Sequence, residues 1–198
     1  HFTGFTSSNL NDPKISRLQN AILHLAGRST LKGTETVLKL WRSHPEWPTL
    51  TLLQHKDNAP ECVPKNVHLI TDYLSDEEIV KLINEHPIHL CPSLSEGWGH
   101  YIVEAMNCGA LVITTDGPPM NELIRPDRGI LVAAPKTEAR HLGTNFIVTP
   151  SALEATVERI LTMQTEERDR LSQAAQQWAL ENHEEFKKRF VETLKKIL

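Results

Sequence analysis

The chain has 198 residues, 39% hydrophobic and 23% charged, which is the make-up of one compact domain with a sizeable core. Its formal net charge of -4 offers no broad basic field, so no nucleic acid is expected as a partner. No apolar run approaches the roughly 18 residues of a membrane span, and the polar opening Phe2-Thr3-Gly4-Phe5-Thr6 is no secretory signal. Three scattered cysteines, Cys62, Cys91 and Cys108, and the lack of any Asn-x-Ser/Thr acceptor make a reducing cytoplasm the expected setting.

In chain order, short apolar runs alternate with stretches of helical period, the pattern of a parallel sheet covered by helices on both faces. Strands are expected at Ile22 to Ala26, Leu50 to Leu53, Val67 to Ile70, Ile88 to Cys91, Leu111 to Thr114 and Ile130 to Val132. A helix is expected over Thr34 to Ser43. Ser75-Asp76-Glu77-Glu78 and Ser151-Ala152-Leu153-Glu154 both have the spacing of a capping box and mark two further helix starts. Pro135 to Thr149 has mixed polarity and no period, so a long irregular connection is expected there. The rest is read as three helices, Ser151 to Met163, Glu166 to Glu181 and Glu184 to Leu198. The last sets Phe186, Phe190, Leu194 and Ile197 on one stripe. That stripe needs a partner surface within the protein. Membrane association is the weaker alternative, because Glu184, Glu185 and Glu192 dilute its lysines.

Two segments carry chemistry. The first strand runs into Gly27-Arg28-Ser29-Thr30-Leu31-Lys32-Gly33, a glycine-flanked cationic loop. In a doubly wound sheet ligands bind beyond the carboxyl ends of the strands. An arginine fork and a mobile lysine there suit a diphosphate. The fourth strand ends in Pro92-Ser93-Leu94-Ser95-Glu96-Gly97-Trp98-Gly99-His100-Tyr101, followed by a helix carrying Glu104. Gly97 and Gly99 let the backbone approach a ligand, and the helix start is an anion site. Glycine is missing where Ile102 stands, so this is not the dinucleotide fingerprint. Glu96 and Glu104 are acceptor-only groups suited to paired hydroxyls. A polyol, a diphosphate and a second polyol make a nucleotide sugar. His86, His89 and Cys91 lack a second pair at zinc-ligand spacing, and no Asp-x-Asp is present to hold a metal on a diphosphate. Metal is therefore not expected.

These segments resemble the retaining GT-B glycosyltransferases grouped as GT4, in their carboxy-terminal, donor-binding domain. Gly27-Arg28 with Lys32-Gly33 is similar to the family's G-R-x-K-G loop, and Glu96 to Glu104 to its E-x7-E motif within P-S-x-x-E-G-x-G. Gly109 to Ile113, similar to the segment that returns the chain to the sheet, and Asn121-Glu122-Leu123-Ile124, similar to the turn after it, continue the likeness, which spans about Ala21 to Val132. The resemblance implies a Rossmann-like doubly wound α/β domain, the C-terminal half of a GT-B fold, ending in a helical third. It implies that Arg28 and Lys32 hold the diphosphate and act with Glu96 in catalysis. Glu96 would take the sugar hydroxyls and Glu104 the ribose. Gly27, Gly97, Trp98, Gly99, His100 and Tyr101 complete the donor site. No cofactor is implied, the nucleotide sugar being a substrate.

The likeness further implies residues 1–16 as an interdomain joint, 17–182 as the donor-binding domain, and 183–198 as a helix that packs on an N-terminal acceptor domain. Without that domain the chain is expected to be inactive. The whole enzyme would transfer a sugar with retention. His100 and Tyr101 replace a commonly apolar pair, Trp98 stands where Phe is usual, and Pro118-Pro119 stands where glycines are common. Asp116 and Glu122 are further polar candidates. Alternatives are a non-catalytic nucleotide-sugar binding module, a GT-B-like epimerase, or a hydrolase using Glu96 and Glu104, which leaves Arg28 and Lys32 without a task.

Overall fold

The computed structural model describes residues 3–197. Six parallel strands form one sheet in the order β3-β2-β1-β4-β5-β6. They are β1 (Ile22–Gly27), β2 (Leu50–Gln54), β3 (Val67–Ile70), β4 (Ile88–Cys91), β5 (Leu111–Thr115) and β6 (Ile130–Val132). Helices α1 (Thr34–Ser43), α2 (Asp76–Glu85), α3 (His100–Asn107) and the single turn α4 (Met120–Leu123) supply crossovers. Sequence and structure agree on an α/β Rossmann-like fold. The strand order reverses between β1 and β4, the place where such sheets open a crevice for ligand.

Alternation along each strand feeds two faces. Ile22, Ala26, Leu50, Leu52, Ile88 and Leu90 pack under α1 and the later helix α5 (Pro150–Thr162), with Trp41 fully buried among them. On the other face Leu23 meets α2, while Cys91 and Val112 meet α3 and the long helix α6 (Thr165–Ile197). Between β1, β4 and α1 sits buried His24. Its Nδ1 lies 2.7 Å from the Leu90 carbonyl and its Nε2 2.9 Å from the Thr34 hydroxyl. Burial pulls its pKa down to about 4, so the ring is neutral. A carbonyl can only accept, so Nδ1 carries the proton and Nε2 accepts from Thr34. One ring thereby ties the start of α1 to two strands.

Four sequence expectations need correction. Residues 135–149 are not irregular: β7 (Lys136–Arg140) and β8 (Gly143–Ile147) pair as an antiparallel hairpin with a two-residue turn at His141 and Leu142. Every residue of β7 is exposed, so no hydrophobic alternation announced it. The hairpin is held by Phe146, whose N–H donates to the Leu94 carbonyl at 2.7 Å and whose ring fills the space a side chain on Gly117 would take. The second capping box is absent. Thr149 caps α5 through the Ala152 N–H, with Pro150 in the first turn, where its missing donor costs nothing. The segment Asn121 to Ile124, read as a turn, contributes to α4.

The last two expected helices are one, running unbroken through Asn182 and His183. Those residues are weak helix formers, but tertiary contacts use them: Asn182 Nδ2 donates to the Phe5 carbonyl at 2.9 Å, and His183 Nδ1 lies 3.0 Å from the Thr6 hydroxyl. The stripe on α6 is exposed at Phe190, Leu194 and Ile197; Leu198 lies outside the described residues. Among the described residues no helix is long and apolar enough to cross a membrane.

Candidate functional site at the carboxyl edge of the sheet

The carboxyl ends of β1 and β4 deliver both sequence-predicted loops to one edge of the sheet. Lys32, Glu96, Gly97, Trp98, Gly99, His100, Tyr101 and Glu104 line a single cleft of about 610 Å³. Gly27 and Arg28 line a neighbouring cleft of about 640 Å³ with Leu53, His55, Tyr73 and Ile79. The structure thus brings together every predicted residue of the glycine loop with Lys32, and sets Arg28 beside them rather than among them. Arg28 is exposed and its guanidinium lies 3.0 Å from His55 Nε2.

Within the first cleft the charges are linked. Lys32 Nζ lies 2.5 Å from Glu96 Oε1, and the same oxygen accepts from the Ser93 hydroxyl at 2.6 Å. Ser93 Oγ also lies 2.6 Å from the Tyr101 hydroxyl, and Lys32 Nζ sits 3.6 Å from the centre of the Tyr101 ring. A lysine between a carboxylate and an aromatic face is held by a salt bridge and a cation–π contact together. Both side chains of the ion pair are 15% exposed, so the cluster is screened yet open to a ligand. Burial pushes the Tyr101 phenol well above its usual range, which keeps it a neutral hydrogen-bond partner.

The loop leads into α3 through Gly99, at φ 100°, where a left-handed residue turns the chain into the helix and no side chain caps its end. His100 and Tyr101, the first residues of α3, line the cleft, and a helix start without a side-chain cap favours an anion. Glu104 lies beyond the first turn of α3, so the helix dipole does not explain it. Burial raises its pKa, partly offset by His100 and Lys32. A carboxyl whose folded pKa exceeds its unfolded one is protonated in both states at low pH, and destabilises the fold once pH rises through the folded value. Glu104→Gln is therefore expected to melt at a higher temperature than the parent at neutral pH. That gain should vanish as pH falls below the ordinary carboxylate range; a gain that is constant with pH would show that burial of charge is not its cause.

Sequence reasoning missed two members. Ser93, inside the quoted motif, anchors Glu96 and Tyr101 together. Phe5, read as part of an interdomain joint, lines the same cleft with its ring 5.4 Å from that of Trp98. The segment bearing it is fastened by Ser7, whose hydroxyl lies 2.9 Å from His100 Nδ1. Nothing local in residues 3–12 signals this, because the contacts are with the glycine loop, α2, α3 and α6. Asp116 accepts from Asn121 Nδ2 at 2.9 Å within its own turn, a structural task. His86 and His89 spend their ring nitrogens on Leu82, Thr51 and Ile83, and burial holds His89 at about 4 and Cys91 at about 12. Among the described residues no group of three His, Cys, Asp or Glu is placed to hold a metal.

No curated protein matches the chain. Solved structures are similar throughout its length. A glycosyltransferase from Rickettsia africae ESF-5 is 15% identical with a TM-score of 0.72, covering 94% of this chain and 48% of its own. Anabaena HepE in complex with UDP and glucose is 18% identical with a TM-score of 0.71, covering 90% of this chain and 48% of its own. Sucrose-phosphate synthase from Thermosynechococcus elongatus is 17% identical with a TM-score of 0.71, covering 97% of this chain and 51% of its own. This chain therefore spans about half the length of these structures. The family model for group 1 glycosyl transferases matches residues 13–178, a stretch holding both cationic and glycine loops, and the chain belongs to that family.

Proposed function

We propose that this chain is the nucleotide-sugar-binding, carboxy-terminal part of a GT4-type enzyme that transfers a sugar, with retention, to an acceptor bound by a second domain. The observation that carries the reading is the Lys32–Glu96 pair at the uncapped start of α3 with Glu104 in the same cleft. A cation and helix amides suit a diphosphate, and the flanking carboxylates suit hydroxyls at its two ends. The Gly27 to Gly33 loop contributes to both clefts, so a donor draped over it meets Arg28 on one side and Lys32 on the other. The apolar residues Leu53 and Ile79 beside Arg28 suit the flat base. HepE, crystallised with UDP and with UDP-glucose, supports this class of ligand. The coverage of its chain by about half supports a second domain, and the exposed stripe on α6 is a surface for that domain to cover.

In the mechanism so proposed, Arg28, Lys32 and the α3 amides stabilise charge as the diphosphate departs, work that needs no metal. Glu96 accepts from sugar hydroxyls whose bonds tighten as the ring gains positive character. Two ligands separate the carboxylates. Glu104→Gln should weaken a nucleoside diphosphate and its sugar derivative by similar factors, each on the order of five- to thirtyfold for one lost charged hydrogen bond. Glu96→Gln should weaken only the nucleotide sugar. It releases Lys32 from its ion pair, so the plain nucleoside diphosphate should bind at least as tightly as before. Calorimetry in which Glu96→Gln weakens both ligands equally would reverse the assigned orientation. The same titrations repeated with EDTA should be unaltered; binding lost to chelator and restored by magnesium would mean that metal carries the charge.

A further inference from the structure

Arg28 is held at three points by one short segment, His55 to Asn58, that follows β2. The His55 N–H donates to the Gly27 carbonyl at 2.8 Å, Asn58 Nδ2 donates to the Arg28 carbonyl at 2.7 Å, and the guanidinium lies 3.0 Å from His55 Nε2. Gly27 and Arg28 are both exposed, so packing does little to fix either. The place of the arginine is set by these bonds.

The same contacts decide which nitrogen of a neutral His55 ring carries the proton. Nδ1 lies 3.2 Å from Asp57 Oδ2 and 3.3 Å from the Asp57 backbone nitrogen, two contacts that ask for opposite tautomers. A guanidinium can only donate, so Nε2 accepts from Arg28, and the proton sits on Nδ1 toward the Asp57 carboxylate. The bond to His55 spends one donor hydrogen of a guanidinium that has five, leaving the others for phosphate oxygens.

We propose that His55 and Asn58 are positioning residues for the phosphate grip, holding Arg28 in place before the ligand arrives, His55 through the guanidinium and Asn58 through the main chain. The inference rests on the donor reading, in which Arg28 meets the diphosphate, and adds two residues that act through Arg28. An exposed arginine loses rotamer freedom when a ligand captures it, and a side chain already held by a neighbour loses less. His55 lines the Arg28 cleft, whereas Asn58 lines a different one with Thr30 and Thr34. Asn58 therefore reaches a diphosphate beside Arg28 through the main chain and not by contact.

The test is calorimetry with UDP and GDP, using whichever the parent binds more tightly, in double-mutant cycles with Arg28→Ala. His55→Leu and Asn58→Ala are each expected to weaken binding about two- to fivefold, and to have no further effect once Arg28 is alanine. His55→Gln, whose amide oxygen takes the place of Nε2, should restore the parental affinity. Imidazole nitrogen NMR of the ligand-free chain at pH 8 adds a signature that a merely structural role would not move. The His55 Nε2 resonance should be that of an unprotonated acceptor in the parent and should shift toward the protonated form in Arg28→Ala. Affinity unchanged by Arg28→Ala would remove the donor reading and this proposal with it. A loss with Arg28→Ala but none with His55→Leu, or none with Asn58→Ala, would strike the role of that residue while the donor reading stands. The positioning role alone is also overturned by a loss that persists when Arg28 is alanine, by equal losses in His55→Gln and His55→Leu, or by a protonated Nε2 in the parent.

Discussion

Lys32→Ala is expected to weaken nucleoside diphosphate binding by roughly a hundredfold, and Arg28→Ala by roughly tenfold, corresponding to about 3 and 1.5 kcal/mol. The difference follows from the surroundings of each side chain. Arg28 is exposed and already shares His55, so solvent and a neighbour moderate its loss. Lys32 lies in a screened cluster with Glu96, Ser93 and Tyr101. Removing its ammonium deletes a phosphate contact and also leaves the Glu96 carboxylate with only the Ser93 hydroxyl, facing the incoming diphosphate with like charge. Pairing the substitution with Glu96→Gln should therefore recover part of the loss, a coupling that a double-mutant cycle measures directly. Unchanged affinity in both single variants, with the fold intact, would remove the diphosphate from this site.

Gly33→Val is expected to cost at least about 3 kcal/mol of folding stability, read from urea denaturation. Gly33 has φ 73°, and a Cβ there would lie within 2.4 Å of the Pro92 carbonyl oxygen. The left-handed conformation is poorly tolerated by β-branched residues, and a backbone oxygen cannot swing aside as a side chain would. Two neighbours make the comparison internal. Gly27 shares the positive φ, at 54°, but nothing approaches its Cβ position, and Gly97 has neither constraint. Alanine at Gly33, Gly27 and Gly97 should thus destabilise in that descending order, with Gly97→Ala within about 0.5 kcal/mol of the parent. Stability of Gly33→Val equal to the parent would mean that the loop does not press against Pro92 as described.

The legible parts of the fold were those with a local cause. All six strands of the sheet could be placed from apolar runs, and Ser75 shows the full reciprocal capping box that its sequence spacing announced. The glycine loop and Lys32 were found because glycines and charges at strand ends have few other uses. What escaped was set by distant partners. The exposed hairpin has no apolar period, the continuity of α6 depends on contacts made by Asn182 and His183, and Thr149 outcompeted Ser151 as a cap because Pro150 suits the first turn. The separation of Arg28 from Lys32 was equally invisible. They are four residues apart in a loop pinned by hydrogen bonds from the segments that follow β2 and β4, His55 N–H to the Gly27 carbonyl and Leu94 N–H to the Leu31 carbonyl, each at 2.8 Å.

One residue with no charge links these pieces. The Leu94 N–H donates to the Leu31 carbonyl at 2.8 Å, and the Leu94 carbonyl accepts from the Phe146 N–H at 2.7 Å. The cationic loop, the root of the glycine loop and the β7–β8 hairpin are thereby riveted at a single residue. A displacement of Leu31 when Lys32 changes partner therefore reaches the hairpin through Leu94, whereas Glu96 and Trp98 are held by contacts of their own, to Lys32 and Ser93 and to Phe5. The exposed hairpin tip at His141 and Leu142 is the natural place for a reporter label of events at Lys32.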